Sequence, residues 1–369
     1  MLGSEITGSF SRLRRMLFPT FVLLLLFHST LAYAQVIIKV NDNVFFRVGA
    51  QLQAWADEQQ DATTKGYAQN LFIRRGRFLL TGQVAPNVTF FFQTDNPNVG
   101  KIPKSLGTGF ILQDFWAEWK LNDYFALSGG EFLVPLNRQE LTSTISFLTL
   151  DISPTSTVFS GPTQSNGLRD TGFQAKGYVA DGRLEYRVGI FQGIRVAGAR
   201  NAFRRAGYLQ YDFFEKERGY TYAGTNLGKR KIVALSGGYD GQNKYKTYNA
   251  NVFATIPVNK GDEVAGTIQY NHYDGGTFIT ALPNQRDDLL ELGYYLSKAK
   301  VQPFIKLEDQ KFKTSFNPSR DQRRYGAGLN YYVAGQNLKF TGQLVHVKPK
   351  NGAIHTTNDF TVQMQVWYY

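Results

Sequence analysis

Cysteine is absent from all 369 residues. That excludes disulfide stapling, a thiol nucleophile and a thiolate metal site. Histidine is nearly as scarce: His28, His272, His346 and His355 make up the full set, and none stands in H-E-x-x-H or another close metal spacing. No G-x-S-x-G elbow or P-loop occurs, and Gly326-x-Gly328 lacks the third glycine of a dinucleotide fingerprint. The acid pairs Asp57-Glu58 and Asp287-Asp288 could hold Ca2+, but solvated loop charge accounts for them better. The sequence therefore calls for no cofactor and no catalytic metal. After residue 34, no segment approaches the ~20 apolar residues of a spanning helix. This leaves strands open, because a tilted strand crosses a bilayer in ~9–11 residues of alternating character.

The N-terminal residues have three parts. Arg12, Arg14 and Arg15 form a basic stretch, Met16 to Phe27 an apolar run, and Ala32-Tyr33-Ala34 an A-x-A cleavage site. Together they read as a secretory signal peptide over residues 1–34, with Gln35 opening a mature domain over 35–369. The formal charge is +12; residues 1–34 hold three Arg and one Glu, a net of +2, which leaves +10 for the remainder. These bases are scattered along the chain, not clustered in the stripe that nucleic acid requires. They fit an anion-attracting interior better, and no nucleic-acid partner is expected.

From Val44 onward one pattern repeats: about ten alternating residues, then a turn. The predicted strands are Val44–Ala56, Leu71–Val84, Thr89–Asp95, Leu112–Leu121, Phe125–Phe132, Arg169–Ala180, Arg183–Gln192 and Ala206–Phe213. The others are Lys231–Asp240, Tyr245–Ile256, Glu263–Tyr273, Asp287–Leu296, Val301–Phe312, Arg323–Val333, Leu338–Val347 and Phe360–Tyr369. Sixteen is an even number, as a closed antiparallel transmembrane β-barrel requires. Short turns such as Asp181-Gly182 alternate with long links, the asymmetry between the two rims of an outer-membrane barrel. Residues 214–230 break it, being long where a short turn is due. Twenty-one Tyr and 29 Phe suit aromatic girdles at the membrane interfaces.

Period two also assigns faces. Phe360, Val362, Met364 and Val366 should meet lipid, while Thr361, Gln363 and Gln365 face a water-filled lumen. Charge should turn inward, since Arg or Lys at the bilayer midplane costs ~2–4 kcal/mol on the lipid face. Arg74 falls on one face of its strand and Arg75 and Arg77 on the other, so one set should lie near a rim. Six acids are expected inside: Asp114, Glu118, Asp170, Glu185, Glu291 and Glu308.

Several stretches carry a resemblance. Phe72-Ile73-Arg74-Arg75-Gly76-Arg77-Phe78 with Asn87-Val88-Thr89-Phe90-Phe91-Phe92-Gln93-Thr94-Asp95 resembles the second and third strands of phosphate-selective porins O and P. Asp114-Phe115-Trp116-Ala117-Glu118-Trp119-Lys120 resembles the fourth. Gly130-Glu131-Phe132-Leu133-Val134-Pro135-Leu136 resembles the entry to that family's constriction loop, with Glu131 where Gln is commoner. Arg169-Asp170-Thr171-Gly172-Phe173-Gln174 and Arg183-Leu184-Glu185-Tyr186-Arg187-Val188-Gly189-Ile190-Phe191-Gln192-Gly193 resemble the next hairpin. The resemblance spans residues 70–195. It implies an all-β, sixteen-stranded, homotrimeric diffusion channel in the bacterial outer membrane, with Pro135–Leu168 folded inward to constrict it.

The expected partners are outer-membrane lipid and small hydrophilic or anionic solutes, phosphate among them. Candidates for the anion path are Arg47, Arg75, Arg77, Lys120, Arg138, Arg169, Lys176, Arg183, Arg187, Lys306, Arg324 and Lys339. The competing reading is a barrel used as a hydrolase or adhesin. A hydrolase would need a nucleophile, a base and an acid converging at the rim, and three scattered histidines serve that poorly.

Overall fold

The computed structural model describes residues 36–369 apart from 102–108, 197–200, 314–319 and 351–354; the expected signal peptide lies outside the described residues. Among those residues the chain runs β1 (Val36–Asn41), β2 (Val44–Gln60), β3 (Tyr67–Ala85), β4 (Val88–Asp95), β5 (Ile111–Lys120) and β6 (Ala126–Leu133). After the link 134–168 come β7 (Arg169–Val179), β8 (Leu184–Phe191), β9 (Arg204–Asp212), β10 (Ile232–Gln242), β11 (Tyr245–Val258) and β12 (Asp262–Asp274). The chain ends with β13 (Gln285–Tyr295), β14 (Val301–Phe312), β15 (Gln322–Tyr332), β16 (Leu338–Pro349) and β17 (Thr357–Tyr368).

Every strand from β2 to β17 pairs antiparallel with its neighbours in sequence, and β17 returns to β2 from Tyr368↔Ala50 to Asp359↔Gln59. Sixteen strands thus close into a barrel. Closure is what the membrane demands, because no water is there to satisfy an open edge. β1 is the strand that the sixteen-strand expectation omits, and it does not belong to the ring. It pairs with the start of β2, from Val36↔Val48 to Asn41↔Val44, on the edge that β17 leaves at Ala50. The short run Val36–Asn41 continues that seam past the barrel's end.

Alternation sets the wall as expected. Phe360, Val362, Met364 and Val366 point outward at 36–40% exposure, while Gln363 and Gln365 are at 1% and 0%. Outward side chains elsewhere are as apolar: Phe115, Trp119, Phe173, Val188, Ile190, Leu235, Ile268 and Leu329. Asp181 and Gly182 both have positive φ, 56° and 74°, as a type I′ hairpin turn requires of its central pair.

One expected strand face needs correction. Gln53 pairs with Arg75 and Ala54 with Ile73, so Arg74 is the extra residue of a β-bulge. A bulge places two residues opposite one and re-aims the side chain. Neither arginine set has been displaced to a rim: Arg74 and Arg75 turn to the same side of the wall. The second irregularity is the link 213–231, which enters the lumen from the short-turn rim.

The outward assignment of β17 predicts an asymmetric cost. Val362→Arg should lower stability by about 2–4 kcal/mol, measured by urea unfolding in lipid vesicles, whereas Val362→Leu should be near neutral. Equal losses for the two would show that Val362 does not face lipid.

Candidate functional site

A sixteen-stranded barrel is too wide for its wall side chains to fill, so its interior is set by what enters it. The link 134–168 leaves β6 and crosses the lumen. Its contacts reach far around the wall: Thr144 Oγ1 to Gln51, Gln365 and Lys339 to the Ile145 carbonyl, Asn330 to the Leu148 carbonyl, and Gln343 to the Leu150 amide. Ser153 donates to Glu308, and Gln269 donates to Ser156 Oγ. Close approach shows at Gly238, where a Cβ would stand 1.9 Å from the Leu136 carbonyl oxygen. The expected inward fold of Pro135–Leu168 matches this course.

The link 213–231 meets that loop from the other rim. Thr142 and Tyr222 form a parallel bridge, with Ser143 donating to the Tyr222 carbonyl and Tyr222 to that of Leu141. Arg138 ties the two together, reaching Glu217 at 2.7 Å and lying over the Phe253 ring at 3.6 Å. Arg187 holds the Gly219 and Tyr220 carbonyls while paired to Glu185 at 2.8 Å. The unusual length of 214–230 was the signal for this second insertion, but length alone does not say that a segment turns inward.

Open space of about 780 Å3 forms a passage along the inner face of β2–β5. Arg47, Arg74, Arg75, Arg77 and Arg169 line it, with Asp95, Asp114 and Glu140. Arg47 lies at the level of Thr81 and Arg77 at that of Gln51, so Arg47 sits about 13 Å along the wall from Arg77. Facing the arginines are the stacked rings of Phe91 and Trp116, 5.7 Å apart, and Tyr220, 4.9 Å from Trp116. Trp367 and Tyr369 stack at 5.7 Å at one mouth.

Most of these charges are partnered. Arg77 meets Asp95 at 2.9 Å and Arg169 meets Asp114 at 3.1 Å. Asp151, from the inward loop, bridges Arg74 at 2.9 Å and Arg75 at 2.6 Å. Burial works to raise the Asp151 carboxyl, but the two guanidiniums outweigh it and hold the group well below its ordinary range. Glu140 is the opposite case. Burial pushes it well above its ordinary range, and neither of its oxygens has a hydrogen-bond partner among the described residues. Five guanidiniums here face the carboxylates of Asp95, Asp114 and Asp151, with the buried, unpartnered Glu140 beside them. Arg47 has no ion pair among the described residues.

The other sequence candidates are placed differently. Lys176 pairs with Glu118, Lys306 with Glu291 and Glu308, and Arg324 with Glu308. Lys339 is buried and donates to the Ile145 and Phe147 carbonyls, fixing the loop. Arg138 and Arg187 brace the inward segments. Lys120 lies exposed at a rim against Asp123 at 2.6 Å, and Arg183 holds the Asp212, Phe213 and Phe214 carbonyls at the same rim. Of the twelve candidates, four line this passage: Arg47, Arg75, Arg77 and Arg169. Sequence reasoning missed Arg74, hidden by the bulge. It also missed Arg204, which is buried against Asp240 at 2.6 Å and Asp170 at 3.4 Å.

No family model matches the chain, and no curated protein matches it in sequence. Solved structures do match in fold. OprB of Pseudomonas putida aligns with TM-score 0.63 and 8% identity, over 88% of this chain and 94% of that one. The outer membrane channel DcaP of Acinetobacter baumannii gives 0.58 and 8%, over 90% and 99%. The trimer form of OmpT, an outer membrane protein of Vibrio cholerae, gives 0.54 and 11%, over 89% and 100%. The chain has the porin-type fold. A closed barrel of this size with an apolar outer belt is built for the bacterial outer membrane.

Asp151 yields a two-part prediction. Asp151→Asn leaves two guanidiniums short of a counter-charge, so stability should fall by about 3 kcal/mol and single-channel conductance should change as the loop loosens. In the wild type, a carboxyl held below its unfolded value of 3.8 contributes fully above that pH and is lost only as pH falls through the lower folded value. In a Glu140→Gln background, which removes the passage's other shifted carboxyl, conductance should therefore hold steady from neutral pH down to about pH 4. A conductance step between pH 5 and 7 in that background would contradict the anchor.

Proposed function

We propose that the chain is a porin: a water-filled channel through which small hydrophilic solutes diffuse across the bacterial outer membrane, with a modest preference for anions. One observation carries the reading. The passage keeps a row of guanidiniums that outnumber the carboxylates facing them, while most charge elsewhere in the lumen is cancelled in pairs. Cationic side chains lining a pore favour anions. The excess is small and reached by water, so salt should screen much of it, with a Debye length of ~10 Å at 0.1 M.

The finer assignment, to phosphate-selective porins O and P, rests on the order of the motifs over residues 70–195. The bulged Arg74-Arg75 pair and Arg77 supply donors of the kind that bind phosphate oxygens bidentately. Their pairing with Asp95 and Asp151 competes for those donors, so phosphate should bind weakly. A homotrimer is the proposed assembly, supported by the trimeric form known for the structurally similar OmpT. No arrangement among the described residues favours the hydrolase or adhesin reading.

Reversal potentials across a planar bilayer under a KCl gradient test the proposal. Wild type should favour Cl− over K+, with the preference fading as salt rises. Arg47→Gln should reduce the preference at low salt, whereas Glu140→Gln should leave it nearly unchanged. A closed barrel giving no conductance, or a cation-selective one, would refute the reading.

A further inference from the structure

The outer wall is apolar along most of its height, but β12–β16 depart from this near the long-loop rim. Arg286, Asp288, Asp309, Lys311, Arg323 and Lys348 all occupy outward positions of their strands there. Lys350 joins them, reaching Asp309 at 2.6 Å. Five bases thus meet two acids. Asp309 is shared by three of the bases, with Lys311 at 3.0 Å and Arg323 at 3.3 Å besides Lys350. Arg286 pairs with Asp288 at 2.9 Å, and Lys348 has no acidic partner among the described residues.

The register sharpens the point. Arg286 stands directly across from Lys311, and Arg323 directly across from Lys348. Like charges opposite one another on one sheet face destabilise it, unless an anion lies between them. From this cluster toward the barrel's middle runs a groove of about 610 Å3, with Arg286, Arg323, Asp288 and Asp309 at its charged end and Tyr270, Tyr325, Ile268, Leu290 and Leu307 along the rest. Arg286 lies over Tyr270 at 5.2 Å. Basic groups above, amphipathic rings at the boundary and branched aliphatic side chains below form the profile of an acyl lipid with an anionic head.

We propose that this outward groove seats a phosphorylated, multiply acylated lipid of the outer leaflet. Its phosphate would be held by Arg286, Lys311, Arg323 and Lys348, and its chains would lie on Ile268, Leu290 and Leu307. Charge complementarity commits the site to an anionic head, and the apolar floor commits it to a lipid instead of free phosphate. The seat lies on the far side of the wall from the passage, so it stands or falls independently of channel function.

Native mass spectrometry of the purified full barrel in detergent provides the test, with three probes. These are a bis-phosphorylated, hexa-acylated glucosamine disaccharide, its dephosphorylated form, and inorganic phosphate. Wild type should retain the first and lose the other two. Each of the double variants, Arg286→Gln with Arg323→Gln and Lys311→Gln with Lys348→Gln, should weaken retention by about tenfold or more, as removal of two interfacial bases implies. Both should keep wild-type conductance and heat-modifiable gel mobility. Two variants guard against a folding failure in either. Equal retention of the dephosphorylated lipid, or binding of phosphate alone, would overturn the proposal. So would a change in oligomer mass with lipid retention unaltered, which would assign the face to a second copy of the chain.

Discussion

The clamp of Asp151 between Arg74 and Arg75 is the contact on which the width of the passage depends. A barrel this wide is not filled by its wall side chains alone; a buried apolar cluster sets Leu136, Leu141 and Phe159 of the inward loop against Tyr208, Tyr245 and Tyr273 of the wall. Elsewhere the loop is fixed by polar contacts, and inside a lumen those are strongest when charge-assisted. Asp151 sits where the loop turns toward β3, and Lys306 donates to the same residue's carbonyl from β14. The loop is thereby tied across the lumen, beside the open space along β2–β5.

The second insertion turns that tie into a frame. Residues 213–231 rise from the opposite rim and bridge the first loop at Tyr222, while Tyr220 reaches back to Asp114 and the Leu133 amide. Burying Arg138, Arg187 and Arg204 carries a desolvation cost that excellent pairing offsets. Each has a carboxylate within 2.8 Å: Glu217, Glu185 and Asp240. These arginines are structural cross-members. The distinction between a paired, buried guanidinium and one lining water separates wall chemistry from path chemistry here.

This distinction also marks how far the sequence could be read. Alternation alone yields the ring, its size and its lipid face, because a charge in lipid is costly enough to fix the phase of every strand. Alternation fails where the backbone departs from period two. A single extra residue at Arg74 reverses the parity of everything beyond it, and no residue type at Ile73-Arg74-Arg75 announces a bulge. Path residues are harder still. Arg75 and Arg187 both occupy lumen positions in sequence, yet one borders open space and the other lies beneath an inserted segment. Only knowing where 134–168 and 213–231 come to rest separates them. The short strand β1 escaped for another reason: Val36–Asn41 is too brief to cross a bilayer and has meaning only as an extension of the β2 seam.

The charge pattern follows from the same constraint. The six lumen acids expected from the sequence each meet a base: Asp114 with Arg169, Glu118 with Lys176, Asp170 with Arg204, Glu185 with Arg187, and Glu291 and Glu308 with Lys306. Such pairing holds the wall together and cancels its long-range field. What a solute meets is therefore not the net charge of the chain but the small remainder where pairing stops. That remainder lies on one wall of one passage, centred on Arg47 and the doubly shared Asp151. A barrel can thus carry a large basic excess and still discriminate weakly between ions, because most of its bases are occupied in shaping the hole.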